Sequence, residues 1–344
     1  MKRIAYIAKR PPSRKSSRCL SVLLVLAALI AAIAAACYMP IGSHEFGSGD
    51  DRVDREEAAA PGTPGNPYLI NTADALVALL QGDNVSLSSY YELTADIDLD
   101  GVSWTPIAPG PGEEFTGRLD GKGHSIRNFT IAMTGEEEWG FFSVIGEGGR
   151  VRNLGLEGAG LEGEDEPAKV GILAGVNKGT IEKSFVTGTI IEAEDRTGGL
   201  VGSNSGTIRY CYARVFELTG NNRVGGLVGE NTAGGLVTET YAASSITAEP
   251  AFKGGLVGRN DSGAEVHRSF FDQSLEPDLD PIGADFGVAD EVHGLSTNDA
   301  QDAGVLTGEA LGLFFDFETI WALDGGCNED YPYLIDNAPS SCGG

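Results

Sequence analysis

Five carboxylates, Asp120, Asp195, Glu230, Glu239 and Asp261, are the side chains best suited to work on a saccharide chain. Glycoside hydrolysis needs two carboxyl groups on either side of the bond to be cut. In a chain with 50 Asp and Glu residues, however, some acids fall close together by chance. Asp96, Asp98, Asp100 and Gly101 imitate part of a calcium loop, but Ile107 stands where an EF-hand would place its Glu. The alternation of these acids with Ile97 and Leu99 suits a half-buried strand better. The four histidines, His44, His124, His267 and His293, are scattered, and His44-Glu45 continues as Phe46-Gly47-Ser48, so no H-E-x-x-H zinc helix exists. G-x-S-x-G, P-loop and C-x-x-C motifs are also missing. These patterns predict a protein that is not an enzyme and has no cofactor.

The elements that would position these groups are written as a repeat. Gly171-Ile172-Leu173-Ala174-Gly175-Val176-Asn177 returns as Gly198 to Asn204, Gly225 to Asn231 and Gly254 to Asn260, at steps of 27, 27 and 29 residues. A β-branched residue follows each Asn (Ile181, Ile208, Val237, Val266), and four residues later an aromatic (Phe185, Tyr212, Tyr241, Phe270). The extra residues fall only in turn-like stretches, where a structural repeat tolerates insertion. Short runs of Val, Ile, Thr and Tyr broken by Gly, Asn and Ser are strand-and-turn chemistry. Each unit therefore predicts about three short strands, and stacked units predict a β-solenoid. Leu173, Leu200, Leu227 and Leu256 are expected to form one buried ladder and the aromatics another. Asn177, Asn204, Asn231 and Asn260 should stack in a turn, their amides bonding between coils. The glycines are expected to make sharp turns at positive φ. If a ligand is read here, residues that differ between copies, such as Ser203, Glu230 and Arg259, are the candidates.

The phrase Gly-Gly-Leu-Val-Gly-x-Asn, with its β-branched and Tyr-Ala followers, resembles the GLUG repeat of bacterial surface and secreted proteins. That repeat is found in parts of immunoglobulin-A-cleaving metallopeptidases and in adhesins. Asn66-Pro67-Tyr68-Leu69-Ile70, Trp104-Thr105-Pro106-Ile107 and Leu119-Asp120-Gly121-Lys122-Gly123 resemble its usual N-terminal flank, and Tyr331-Pro332-Tyr333-Leu334 its usual close. The resemblance implies an all-β, right-handed parallel β-helix with coils of 27–30 residues, outside the cell. It does not carry over peptidase chemistry, because the metal-binding helix is missing.

Along the chain, residues 1–37 read as a signal. Seven Lys and Arg precede an apolar run from Cys19 to Ala36, and Ala34-Ala35-Ala36-Cys37 ends it. Three fates are open: ordinary cleavage, a lipobox-like cleavage with lipid on Cys37, or an uncleaved anchor. Residues 38–60 read as an acidic flexible linker. Residues 61–170 should form the N-terminal cap and first coils, with Thr72 capping a short helix through Leu80. Residues 171–272 are the repeat coils. Residues 273–344 read as an acidic loop and a C-terminal cap, with helices broken at Gly304 and Gly308 and Phe314–Leu323 plugging the open end. Cys327 and Cys342 are disulfide candidates, worth about 3 kcal/mol in the loop-entropy account. Cys211 should be a small buried hydrophobe.

Residues 38–344 hold 17 basic and 50 acidic residues, net −33. Such a charge argues against nucleic acid as partner and leaves the membrane to the N-terminal segment. The sequence thus predicts a surface-attached, non-catalytic module whose partner is a cell-surface glycan or protein. A structural spacer of the envelope and a polysaccharide lyase or glycosidase are the competing readings.

Overall fold

The computed structural model describes residues 59–82, 86–102, 104–134, 138–163, 168–247 and 251–342. The stretch expected to be a signal, with Cys37, almost all of the stretch expected to be a linker at 38–60, and His44 lie outside the described residues. The rest is a β-solenoid built from three parallel sheets. One coil shows the plan. Arg196–Gly198 lies in a five-stranded sheet and Val201–Asn204 in a six-stranded one. Thr207–Arg209 and Tyr212–Gly220 both belong to a wide third sheet.

Strict register joins the coils. Asn177 pairs with Asn204, Asn204 with Asn231 and Asn231 with Asn260. Leu173, Leu200, Leu227 and Leu256 sit at the bend between two sheets, fully buried in the main core. The first three donate their main-chain N–H to the next one's carbonyl, and Leu256 donates to that of Pro281, at 2.9–3.0 Å. That core runs from Ile70 to Phe271. At its start, Ala73–Leu80 forms a helix whose Thr72 hydroxyl accepts from the Ala75 amide at 3.2 Å. Leu76 and Leu80 of this helix cover the first rung beside Ile70 and Leu93.

The repeat glycines work differently from expectation. None of them has positive φ. They are small because the bend three residues on folds back against them, and the next coil's backbone lies almost as near, its Gly amide nitrogens 2.5–2.6 Å from where a Cβ would stand. A Cβ on Gly198, Gly225 or Gly254 would lie 2.0–2.1 Å from the carbonyl oxygen of Val201, Val228 or Val257. The left-handed turns fall instead on larger residues at one corner of the wide sheet: Asn153, Lys183, Tyr210, Glu239, Arg268 and Glu291, with φ between 42° and 57°. The residue after that corner is Ser184, Cys211, Thr240 or Ser269, each buried. Ser184 and Ser269 donate to the carbonyl two residues earlier, at 2.9 and 2.7 Å. Cys211 does the same to Arg209 at 3.2 Å. It therefore holds a hydroxyl's place in the column rather than serving only as a hydrophobe.

The aromatic row is buried, but in a second core. Phe185, Tyr212, Tyr241 and Phe270 stack with centroids 4.9–5.1 Å apart and planes within 7°. Their strand neighbours Val186, Ala213, Ala242 and Phe271 face the main core, so period two turns the aromatics outward. A column of four rings on the outer flank is apolar surface that water disfavours. The C-terminal segment covers it, which corrects the expected end plug. Phe315 packs on Phe270, and Trp321 lies 5.8 Å from Tyr241 and 6.3 Å from Tyr212. Asn337 then donates to the Lys183 carbonyl at 3.1 Å, and the Ser340 hydroxyl to Glu157 at 2.6 Å. The segment is thus a strap running back along the stack. Its helices Thr297–Ala300 and Ala303–Thr307 part at Asp302, whose carboxylate caps the second; Gly304 lies inside that helix and Gly308 ends it. Cys327 and Cys342 are joined by a disulfide.

Residues 273–292 are also more than a loop. Ile282–Asp285 and Val288–Leu295 pair with Val257–Asn260 and Glu265–Asp272, adding a rung after the last Gly phrase. Asp285 takes the Asn place in it.

Candidate functional site

The asparagines form a closed structural track. Asn177 donates its side-chain amide to Asn204 at 2.8 Å, Asn204 to Asn231 at 2.8 Å, and Asn231 to Asn260 at 3.0 Å. All four are fully buried, so the track presents nothing to a ligand. Each of the five carboxylates suited to a saccharide is taken up by a cation of the chain itself. Asp120 accepts from Arg152 at 2.7 Å and from Asn153 at 2.9 Å, and is buried rather than exposed. Glu230, also buried, lies among Arg196, Arg223 and Arg259, with Arg223 at 3.0 Å. Asp195 is shared by Arg196, at 2.9 Å, and Arg223; Asp261 pairs with Arg259 at 2.7 Å, and Glu239 with Arg268 at 3.7 Å. Ser203, Glu230 and Arg259 are register neighbours in one row, and that row is occupied by this network.

Burial alone would raise the Asp120 carboxyl, but bonds from Asn153 and the Lys122 amide, with the Arg152 charge, hold it below its ordinary range. Glu182 follows the same pattern: burial opposes, and the Arg209 bond with the Arg150 and Arg209 charges prevails. Such carboxylates stay ionised at neutral pH and do not donate a proton as a general acid must. Asp98 accepts from Asn128 at 3.0 Å and from the Asp100 amide at 3.0 Å, and Asp96 from the Ser125 amide at 3.1 Å. These acids tie one coil to the next. Among the described residues, no three His, Cys, Asp or Glu side chains converge as a metal site. His124 stands 3.1 Å from Asp96, His267 2.9 Å from Glu265, and His293 2.8 Å from the Leu311 carbonyl.

A different place is open. On the outer side of the wide sheet, Pro64, Pro67, Tyr90, Glu92, Arg118 and Arg150 border a groove of about 170 Å³, with Asp120 and Arg152 at its floor. The first strands build it: Tyr90 pairs with Arg118 and Arg118 with Arg150, so the three side chains stand in one column. Arg118 lies over the Tyr90 ring at 5.1 Å. Glu92 is held by Lys122 at 3.1 Å, and Glu182 neutralises Arg150 from the far side. The described residues include 15 Lys and Arg, of which 14 have a carboxylate within 4.0 Å. The remaining one among them is Arg118. Sequence reading passed over it because a lone Arg in a strand carries no motif; only the register shows that it stands beside Arg150.

No family model matches the chain. A stretch of 147 residues is 37% identical to the halomucin of Haloquadratum walsbyi, covering 40% of this chain and 2% of that protein. A stretch of equal length, 147 residues, is 40% identical to a protein of Evansella cellulosilytica provisionally named a Gly-rich membrane protein, covering 42% of this chain and 17% of that one. The chain thus spans only a small part of these relatives' own length. Among solved structures, a protein of Bacteroides ovatus provisionally named an immunoglobulin A1 protease superposes with a TM-score of 0.53 at 18% identity, over 80% of this chain and 94% of that one. At that identity the likeness is one of fold: this chain shares its architecture with the Bacteroides protein.

Proposed function

We propose that this chain is a non-catalytic binding module held at the cell surface, and that it engages a surface glycan. The observation that carries this reading is the groove at Arg118, the one Lys or Arg among the described residues with no carboxylate within 4.0 Å, standing beside an aromatic ring. The names of the halomucin and membrane-protein relatives support a surface place, as does the resemblance of the repeat phrase to the GLUG repeat. A basic and apolar N-terminus that could leave Cys37 lipid-linked fits the same place. The pairing of Asp120, Asp195, Glu230, Glu239 and Asp261 with arginines speaks for binding over saccharide cleavage.

The full-length chain on a glycan array, with reducing-end assays on the same saccharides, tests this. Retention of a glycan subset without new reducing ends is the expected result. Cleavage would make the protein an enzyme. Absence of both would leave a spacer of the envelope.

A further inference from the structure

Arg118 and Arg150 are register partners on adjacent parallel strands. Like charges so placed, on strands about 4.8 Å apart, repel unless an anion lies between or beside them. Elsewhere this protein meets the same problem with its own carboxylates. Arg196 and Arg223 are also register partners, and both reach Asp195 and Glu230. The Arg118–Arg150 pair is half-solved: Glu182 serves Arg150 only, and the Nε–H of Arg150 is buried without a partner among the described residues. Among the described residues the Arg118 guanidinium meets the Tyr90 face and no carboxylate. Among the described residues its donor fork has no partner, which leaves it for an anion that presents two oxygens to the guanidinium in parallel bonds.

The surroundings narrow the anion. The domain's large negative charge and the nearby Glu92 and Asp120 disfavour any densely charged chain. Glu92, held by Lys122 through one oxygen, has its other oxygen to offer to hydroxyl groups. Pro64, Pro67 and Tyr90 give apolar rims against which the C–H face of a sugar ring can lie. A groove of about 170 Å³ has room for one sugar ring.

We infer that the groove bordered by Tyr90, Arg118 and Arg150 binds a single acidic sugar residue, its anionic group on Arg118 and its ring against Tyr90 and the two prolines. This rests on the reading of the chain as a surface glycan-binding module and names the part of the glycan that is recognised. A carboxylate and a sulfate ester present the same chemistry to Arg118, and the test separates them.

Titration calorimetry of the full-length chain with methyl glucuronide, glucose 6-sulfate and methyl glucoside gives the comparison. The two charged sugars should bind at least tenfold more tightly than the glucoside, and the tighter of the two identifies the anionic group. Arg118→Ala should lose tenfold or more for the charged sugars, and Arg118→Lys should recover only part, because it lacks the fork. Tyr90→Leu should weaken all three, and Arg268→Ala, away from the groove, none. The Arg118 side chain makes no hydrogen bond among the described residues, so its variants should keep the wild-type circular dichroism. Equal binding of charged and neutral sugars, wild-type affinity in Arg118→Ala, or stronger binding of a Glu-Glu dipeptide would each overturn the inference. If these sugars fail while the glycan array still shows retention, the inference falls and the module reading stands. If the array is also blank, both fall.

Discussion

Asn260 donates its side-chain amide to the Asp285 carboxylate at 2.9 Å, so the asparagine ladder ends on a group that only accepts. Every earlier rung hands a donor forward, and a carboxylate receives the last one without needing a further partner. The Gly287 amide also reaches the same Asp285 oxygen, at 3.1 Å.

The ladder should therefore be intolerant in the middle and permissive at its end. Asn231→Ala removes the acceptor for Asn204 and the donor to Asn260 in a fully buried place. At about 1–3 kcal/mol for each of the two orphaned groups, a loss of roughly 2–6 kcal/mol is expected. Asp285→Asn keeps an acceptor and should change stability by less than about 1 kcal/mol. Urea unfolding of both variants checks the contrast; equal losses would contradict a directional ladder.

The two tyrosines of the aromatic stack should respond with opposite signs. The Tyr212 hydroxyl is buried without a partner among the described residues. The Tyr241 hydroxyl donates to the Pro332 carbonyl at 2.5 Å and accepts from Asn328 at 2.9 Å. Tyr212→Phe is expected to be neutral or stabilising by up to about 1 kcal/mol, and Tyr241→Phe to lose about 1–2 kcal/mol. Thermal midpoints of the two variants decide it.

Cys211 stands where its column neighbours carry hydroxyls, so Cys211→Ser should cost no more than about 1 kcal/mol, and Cys211→Val more. Burial pushes the thiol up to about 12, which keeps it protonated and unreactive. A thiol reagent at pH 8 should label it only after denaturation. Rapid labelling of the folded chain would show that the corner is open.

Acid should unfold the wide sheet through its clamped carboxylates. Asp120 and Glu182 have folded-state values below their unfolded ones. The unfolded chain binds more protons in the interval between, so their contribution is complete above the ordinary carboxylate range near 4 and declines as pH falls through the lower folded values. Glu182→Gln should thus be less stable than wild type at pH 7, by about 1–3 kcal/mol, and by a smaller margin at pH 2.5. A gap that stays constant between these pH values would remove the clamp from the account.

The stack was readable because its period is explicit. Leu200 and Asn204 recur with their neighbours, and repetition alone tells which side chains lie over one another. Three features resisted. The added rung at Asp285 lacks the Gly-Leu phrase, so only its Gly283-Ala284-Asp285 fragment echoes the repeat. The destination of the strap depends on which face Tyr212 and Tyr241 present, and an aromatic in a two-sided strand gives no sign of that. Arg118 became a candidate only through what it lacks, and a missing partner is invisible until every carboxylate has been placed.

The returning strap has a mechanical consequence. It carries the chain's end back to Lys183 and Glu157, and the carbonyl of Asp336 lies within 2.2 Å of where a Cβ on Gly123 would stand. Tension applied between residues 61 and 342 therefore crosses the first coils and the strap's end, by a short route. The coils from Tyr212 to Leu295 lie off that load path. The middle of the strap grips them at Phe270 and Tyr241, so a pull on its end should break the contacts at Lys183 and Glu157 first.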